Sequence, residues 1–270
     1  MREIFIRDNN FFSEKYSERP NPYFKWVWER KPNIKHPITV FTDGYLPEVH
    51  SNPSEVKIGM LFEPPIISGG IYTYAIQNHS AFNYILTFNE DLLKVSDKFR
   101  YYPYGTTWVH PPQRGIHFKT KNISTIISNK KFAPGHIIRH ESVKRYADKM
   151  DVFGREYCPI GDKIDGLRDY RFSFAIENSR LNSYFTEKLM DCFFSGTIPI
   201  YWGFDKAKDF FNPDGMILFN SLEELDGIID SLNEEEYARR LPAVKDNFNR
   251  AHDYLSFEKS VWEVISKENR

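Results

Sequence analysis

The sequence predicts an α/β protein built as two Rossmann-like halves, the N-terminal one abbreviated. Three observations predict it. Short runs of strand character recur from Pro37 onward: ITVFTDG, VKIGMLFEP, YILTFNE and RYYPYG. A second series, NISTIISN, MDVFGR, YRFSFAI, IPIYWG and MILFN, alternates with helical stretches. Between the two series lies a Pro-, Gly- and charge-rich segment without periodicity, VHPPQRGIHFKTK. Strands alternating with helices build a parallel sheet covered on both faces. Such sheets bind ligands beyond the carboxyl ends of their strands, so two halves of this kind are expected to aim their loops into a shared cleft.

Taken in order, residues 1–110 form the first expected domain, opening with an irregular, Pro-broken arm over 1–35 that holds one short strand, IFIRD. Its best helix candidate is Ile71–Phe82, and the Gly69-Gly70 pair before it reads as a flexible loop or a plain turn. Residues 111–121 are the expected linker, and 122–270 the second domain. There helices are expected over Gly135–Lys149, near Asp162–Arg168 and from about Phe185 to Ser195. A mostly helical end follows from Leu222, in which Pro242 breaks one helix or starts another.

Composition narrows the function. With 41% hydrophobic and 16% aromatic residues in 270, the chain can fill packed cores. A net charge of −1 offers no basic surface for nucleic acid. Two cysteines, Cys158 and Cys192, the latter on the buried side of a helix, do not make a disulfide framework and fit a reducing compartment. No apolar run reaches the roughly 18–20 residues that span a bilayer, and MREIFIRDNN lacks a signal-peptide core. A soluble, cytoplasmic protein is expected, in which the N-x-S triplets at Asn78 and Asn122 carry no weight.

The informative stretch is Tyr170–Gly203. A buried strand (Phe172, Phe174, Ile176) runs into the polar turn Glu177-Asn178-Ser179; a helix start with Tyr184, Thr186, Glu187 and Lys188 follows, then a stop at Gly196 and a second strand. Unpaired N–H groups and the positive dipole end at a helix start attract anions, and a lysine adds a full charge. This is the pattern of a nucleotide-phosphate cradle. A first-turn lysine is mildly disfavoured by the helix dipole, so Lys188 asks for an anionic partner. Glu187 has the opposite reading available, since a carboxylate in the first turn is stabilising by itself. Ser179 and Thr186 fit turn and cap roles. Glu177, if buried, needs a partner such as Arg171 or Arg180. Met190, Phe193 and Phe194 follow helical spacing and read as core, and Trp202 reads as packing. His136 and His140 stand four apart on one helix, but with His110 and His117 they make no convincing metal set.

The run E-N-S, four residues, Y-x-T-E-K, then T-I-P-I-Y-W-G resembles the donor-binding signature of glycosyltransferase family 10, the α-1,3/4-fucosyltransferases, in its soluble bacterial form. The similarity extends through Ala207–Leu225 and back through Ser128–Arg155, covering most of 121–230. It implies the GT-B fold and an inverting transfer of fucose from GDP-fucose to a glycan hydroxyl. It also implies donor-phosphate contacts at Lys188 and, following the Ser128-Asn129 strand end, at Arg139. Glu187 would hold the ribose through its two oxygens, with Asn178 and Tyr184 at donor-contacting positions; Ser128, Asn129, Glu177, Ser179 and Thr186 are possible supports. No D-x-D metal motif occurs, so the cationic work falls to side chains and no metal or other cofactor is expected. Family members carry a base before a proline at the end of an N-domain strand, which maps onto Glu63 in LFEPP; Asp43, Glu90 and His79 are rivals. A surround of Phe62, Pro64 and Pro65 would desolvate that carboxylate and favour its protonated form. Two departures stand out: Ile176 replaces the usual Phe before E-N-S, and Gly203-Phe204-Asp205 replaces the G-x-P loop beside the donor sugar.

Overall fold

The computed structural model describes residues 1–8 and 22–268, and the chain divides into two units. The first comprises Met1–Pro103 and Ser256–Arg270, the second Tyr104–Leu255.

In the first unit six strands form one wholly parallel sheet: β1 (Glu3–Arg7), β2 (Lys25–Trp28), β3 (Ile38–Thr42), β4 (Val56–Met60), β5 (Tyr84–Thr87) and β6 (Phe99–Tyr101). Their order is β2-β1-β3-β4-β5-β6. The expected irregular arm thus supplies two strands, and β1 lies inside the sheet; part of that arm, 9–21, lies outside the described residues. The physical reason is a period-2 pattern short enough to be hidden by flanking charge: Ile4 and Ile6 are buried, as is Trp26. Helix α1 (Pro65–Asn78) starts six residues ahead of the expected point, so Gly69 and Gly70 are exposed helix residues and not a loop. Pro at its first position needs no N–H partner.

The final helix, Phe257–Glu268, belongs to this unit and not to the second domain assigned to it by sequence order. Phe257 packs tilted against Trp26 and edge-to-face with Phe62, and Glu258 accepts from Trp26 Nε1 at 3.3 Å.

The second unit holds β7 (Lys121–Ile126), α2 (Pro134–Tyr146), β8 (Asp151–Phe153), β9 (Tyr170–Ile176), α3 (Glu187–Ser195), β10 (Ile198–Trp202), β11 (Ile217–Leu218) and α4 (Glu234–Ala251). Its five strands are parallel in the order β11-β10-β9-β7-β8. Alternation along the strands separates two cores. Phe172, Phe174 and Ile176 pack with Val143 and Tyr146 of α2, whereas Ala175 and Tyr201 pack with Leu189, Met190 and Phe193 of α3. The sheet is therefore doubly wound. Pro242 lies within the 18-residue α4 and does not break it. The expected linker, 111–121, is part of this unit. Its Lys119 is buried, and Nζ donates to the carbonyls of Arg168 and Ser195 at 2.9 and 2.8 Å and to Thr197 Oγ1 at 3.0 Å. Such a lysine anchors a segment that composition alone reads as a spacer.

Both sheets share one topology. In each, the first strand lies between the second and third, so the chain reverses direction across the sheet there. At such a switch point neighbouring loops diverge and leave a crevice beyond the strand ends.

Candidate functional site

In the second unit the switch point falls between β7 and β9, and the residues singled out in Tyr170–Gly203 gather at the exit of β9. Helix α2 brings its first turn to this exit, with the Gly135 N–H donating to Asn178 O at 3.1 Å. A Cβ on Gly135 would lie 1.6 Å from the Glu177 carbonyl oxygen, so only glycine allows this approach. One turn later Arg139 is buried and donates through Nε to Ile176 O at 2.9 Å and through Nη2 to Asn178 Oδ1 at 2.9 Å. Burial lowers its pKa, opposed by Glu177, Glu187 and Tyr184.

Helix α3 starts at the same exit. Thr186 is its N-cap. Glu177, fully buried, accepts from Thr186 N at 2.8 Å and from Thr186 Oγ1 at 2.7 Å, and lies 3.6 Å from Lys188 Nζ. Its partners are therefore Thr186 and Lys188, not Arg171 or Arg180, which pair with Glu234 and with Asp205. Burial pushes the Glu177 carboxyl up, against the pull of Lys188. Glu187 is held between two cations, Lys188 at 3.0 Å and Lys163 at 3.6 Å. Burial would raise its pKa, but Lys188 and then Lys163 outweigh that and hold it well below the usual carboxylate range. Lys163 also donates to buried Asp191 at 3.0 Å, which in turn accepts from Thr107 Oγ1 and Trp108 N.

The remaining expected residues divide. Ser179 is buried and its Oγ has no hydrogen-bond partner, a vacancy in bonding that a ligand can fill. Tyr184 is 1% exposed, so its ring lies within the protein, and the preceding Ser183 takes a left-handed φ of 58°. Ser128 and Asn129 are exposed, and Asn129 donates to Glu156 at 2.8 Å. Trp202, Met190, Phe193 and Phe194 are core.

Glu63 stands in the first unit just past β4. Its N–H reaches Asp43 Oδ1 at 3.5 Å, and its carbonyl accepts from Tyr72 Oη at 2.9 Å. Of the rivals, Glu90 starts a single helical turn and His79 is bonded to Ile76 O at 2.7 Å.

Three residues at the β9 exit escaped sequence reading. Gly135 was signalled only by A-P-G ahead of a helical run. His136, whose i, i+4 spacing from His140 suggests only a metal pair, is buried and accepts from Ala133 N through Nδ1 at 3.2 Å. Burial, then Arg139, Lys130 and Lys188, push it down to about 4, which keeps the imidazole neutral beside three cations. Lys163 lies 24 residues from Glu187 in the chain, beyond any local pattern. His140 bonds Lys130 O, away from His136's partner.

Two parallel α/β sheets in one chain, the second doubly wound with two helix starts and a cluster of cations at its switch point, are the elements of the GT-B fold. Residues 116–241 match glycosyltransferase family 10 (fucosyltransferase), C-terminal part. The match lies within the second unit and takes in somewhat under half of the chain, so it is that unit which is similar to the family's C-terminal part. The chain is 37% identical over 71 residues to the alpha-(1,3)-fucosyltransferase FucT of Helicobacter pylori, covering 26% of this chain and 15% of that protein. To the 3-galactosyl-N-acetylglucosaminide 4-alpha-L-fucosyltransferase FUT3 of Pan troglodytes it is 28% identical over 169 residues, or 57% of this chain and 44% of the relative. The matches thus span less than half of these relatives. Among solved structures, an alpha1,3-fucosyltransferase with GDP aligns over 97% of this chain and 90% of its own, at TM-score 0.57 and 18% identity. The S. aureus TarM structure aligns over 85% and 55%, at TM-score 0.57 and 15% identity. Among the described residues no helix is long and apolar enough to cross a membrane.

Proposed function

We propose that this chain is an inverting glycosyltransferase that moves fucose from GDP-fucose to a hydroxyl of an oligosaccharide or glycan. The observation that carries the reading is the convergence of Lys188, Arg139 and the starts of α2 and α3 on one strand exit. A departing nucleoside diphosphate gains one negative charge on its terminal phosphate as the C1–O bond breaks, and preorganised cations and N–H groups hold that charge without reorganisation. Lys188 and Arg139 hold the diphosphate; Glu187, kept ionised by its lysines, accepts from the ribose hydroxyls; Asn178, fixed by Arg139, completes the donor contacts, and the buried Tyr184 packs behind them. Ser179 and Thr186 line the same turn. Glu177 supports the site from below by fixing Thr186. The acceptor oxygen forms a bond to the sugar C1 as the C1–O bond to phosphate breaks. The electron pair leaves with GDP, and Glu63 takes the acceptor proton. Drawn this way, the chemistry requires no metal or cofactor.

Support for GDP-fucose comes from the family and from the related structures holding GDP and GDP-fucose. The altered Gly203-Phe204-Asp205 loop, which lines a recess with Arg180 and Asn220, favours as second reading a related enzyme with another sugar nucleotide. Differential scanning fluorimetry against GDP-fucose, GDP-mannose, UDP-galactose and UDP-GlcNAc separates the two, because at equal concentration the ligand with the lower Kd for the folded protein stabilises it more. The largest rise is expected with GDP-fucose; a larger rise with a UDP-sugar removes fucose from the reading.

A further inference from the structure

Asp43 and Glu63 follow neighbouring strands, β3 and β4, whose last residues Thr42 and Met60 are paired. Asp43 takes a left-handed φ of 35°. That conformation costs a residue with a Cβ about 1–2 kcal/mol, and it persists where surrounding contacts over-determine it. The contacts are visible. Asp43 Oδ1 accepts from Phe62 N at 2.9 Å and from Glu63 N at 3.5 Å, while Tyr72 Oη holds the Glu63 carbonyl. The peptides on both sides of Glu63 are thereby pinned. The other oxygen, Oδ2, is buried with no hydrogen-bond partner, and Asp43 as a whole is 4% exposed. A dry, unpaired carboxylate oxygen is unfavourable unless the group carries a proton.

We propose that Asp43 is a positioning residue for Glu63, fixing its backbone and tuning its basicity through its own ionisation. The inference rests on the reading of Glu63 as base. Burial first, opposed by the Phe62 N–H and reinforced by the Glu63 and Asp8 carboxylates, pushes Asp43 up to about 7. The groups facing it are Asp8 after β1, which accepts from Thr42 Oγ1, Glu63 after β4, and Tyr72 of α1, whose hydroxyl is pushed up by burial, Asp43 and Glu63. Once Asp43 ionises, a second negative charge beside Glu63 raises its affinity for a proton.

The test measures GDP release from GDP-fucose by the full chain between pH 5 and 9, with GDP affinity by calorimetry alongside. The parent is expected to show an inflection near pH 7. Asp43→Asn keeps an acceptor for the two N–H groups but cannot ionise, so the inflection should vanish with GDP affinity within about twofold of the parent. Asp43→Ala should lower kcat about tenfold or more with the donor KM unchanged. An Asp43→Asn profile that retains the inflection overturns the proposal, as does Asp43→Ala with parental kcat; if Asp43→Ala does not fold, Asp43→Asn decides. Denaturation supplies a readout without turnover. A folded pKa raised above the unfolded value makes the parent lose stability as pH rises from about 4 to 7, a loss Asp43→Asn should lack. Glu63→Gln tests the underlying reading separately. Parental turnover in that variant removes Glu63 as base, whereas an inactive Glu63→Gln beside a parental Asp43→Asn removes only the role of Asp43. A parent that releases no GDP overturns both.

Discussion

The backbone N–H of Thr186 donates to one oxygen of Glu177 at 2.8 Å while the Thr186 hydroxyl donates to the other at 2.7 Å. This double bond pattern ties the cap of α3 to the end of β9. Lys188 closes the cluster, its Nζ 3.0 Å from Thr186 Oγ1 and 3.6 Å from Glu177. The geometry of the cationic site is thus set by a carboxylate with no exposure of its own.

Replacing Glu177 with Ala leaves the Thr186 amide unpaired and Lys188 without its buried counter-charge. An unsatisfied buried donor costs about 1–3 kcal/mol, so urea denaturation should show a loss in that range. GDP affinity should fall with it, because the start of α3 is no longer fixed. Unchanged stability would mean that Glu177 does not hold the cap.

Gly135→Ala forces a methyl against the Glu177 carbonyl, which is backbone and cannot rotate away. Overpacking of this kind costs about 1–3 kcal/mol or more. The start of α2 must also retreat from Asn178. Thermal denaturation should register the first effect and GDP titration the second; a variant with parental values in both contradicts the close approach.

Ser179→Ala separates a ligand contact from a structural one. Its hydroxyl is buried and unpartnered, so its removal should leave the unliganded protein as stable as the parent or slightly more so. If the donor satisfies that hydroxyl, affinity should drop about fivefold, roughly the worth of one net hydrogen bond. Equal affinity removes Ser179 from the donor site.

His136 provides a pH signature. Its folded pKa of about 4 lies below the ordinary histidine value of 6.5. A histidine held neutral in the fold contributes in full above its unfolded pKa, and the contribution is lost as pH falls from about 6.5 towards 4. His136→Gln should therefore lose less stability than the parent across that window. NMR of the imidazole should find Nε2 protonated and Nδ1 bare, with no titration above pH 5 in the unliganded protein. A midpoint near 6.5 would contradict the burial and charge assigned to it.

Much of this was legible in the sequence, for definable reasons. β9 and β10 are fully buried runs and declare themselves by composition; Thr186 and Gly196 mark the ends of α3, where Gly196 takes a left-handed φ of 68°. The clustered elements 177–188 are local, so their spacing survives folding. What was hidden is tertiary. Lys163 reaches Glu187 from a separate turn, and Lys119 ties an apparent spacer into the core only through carbonyls from other segments. β1 and β2 are short strands whose alternation is masked by charge. The final helix returns to the first unit through Phe257, a placement that chain order cannot announce.

Calorimetric titration of GDP into the parent and into Lys188→Ala tests the central claim most directly. A charge-assisted hydrogen bond is worth about 1.5–3 kcal/mol, so the variant should bind roughly 10- to 100-fold more weakly, with its fold intact by circular dichroism. A variant that binds GDP as tightly as the parent would contradict the assignment of the β9 exit as the diphosphate site.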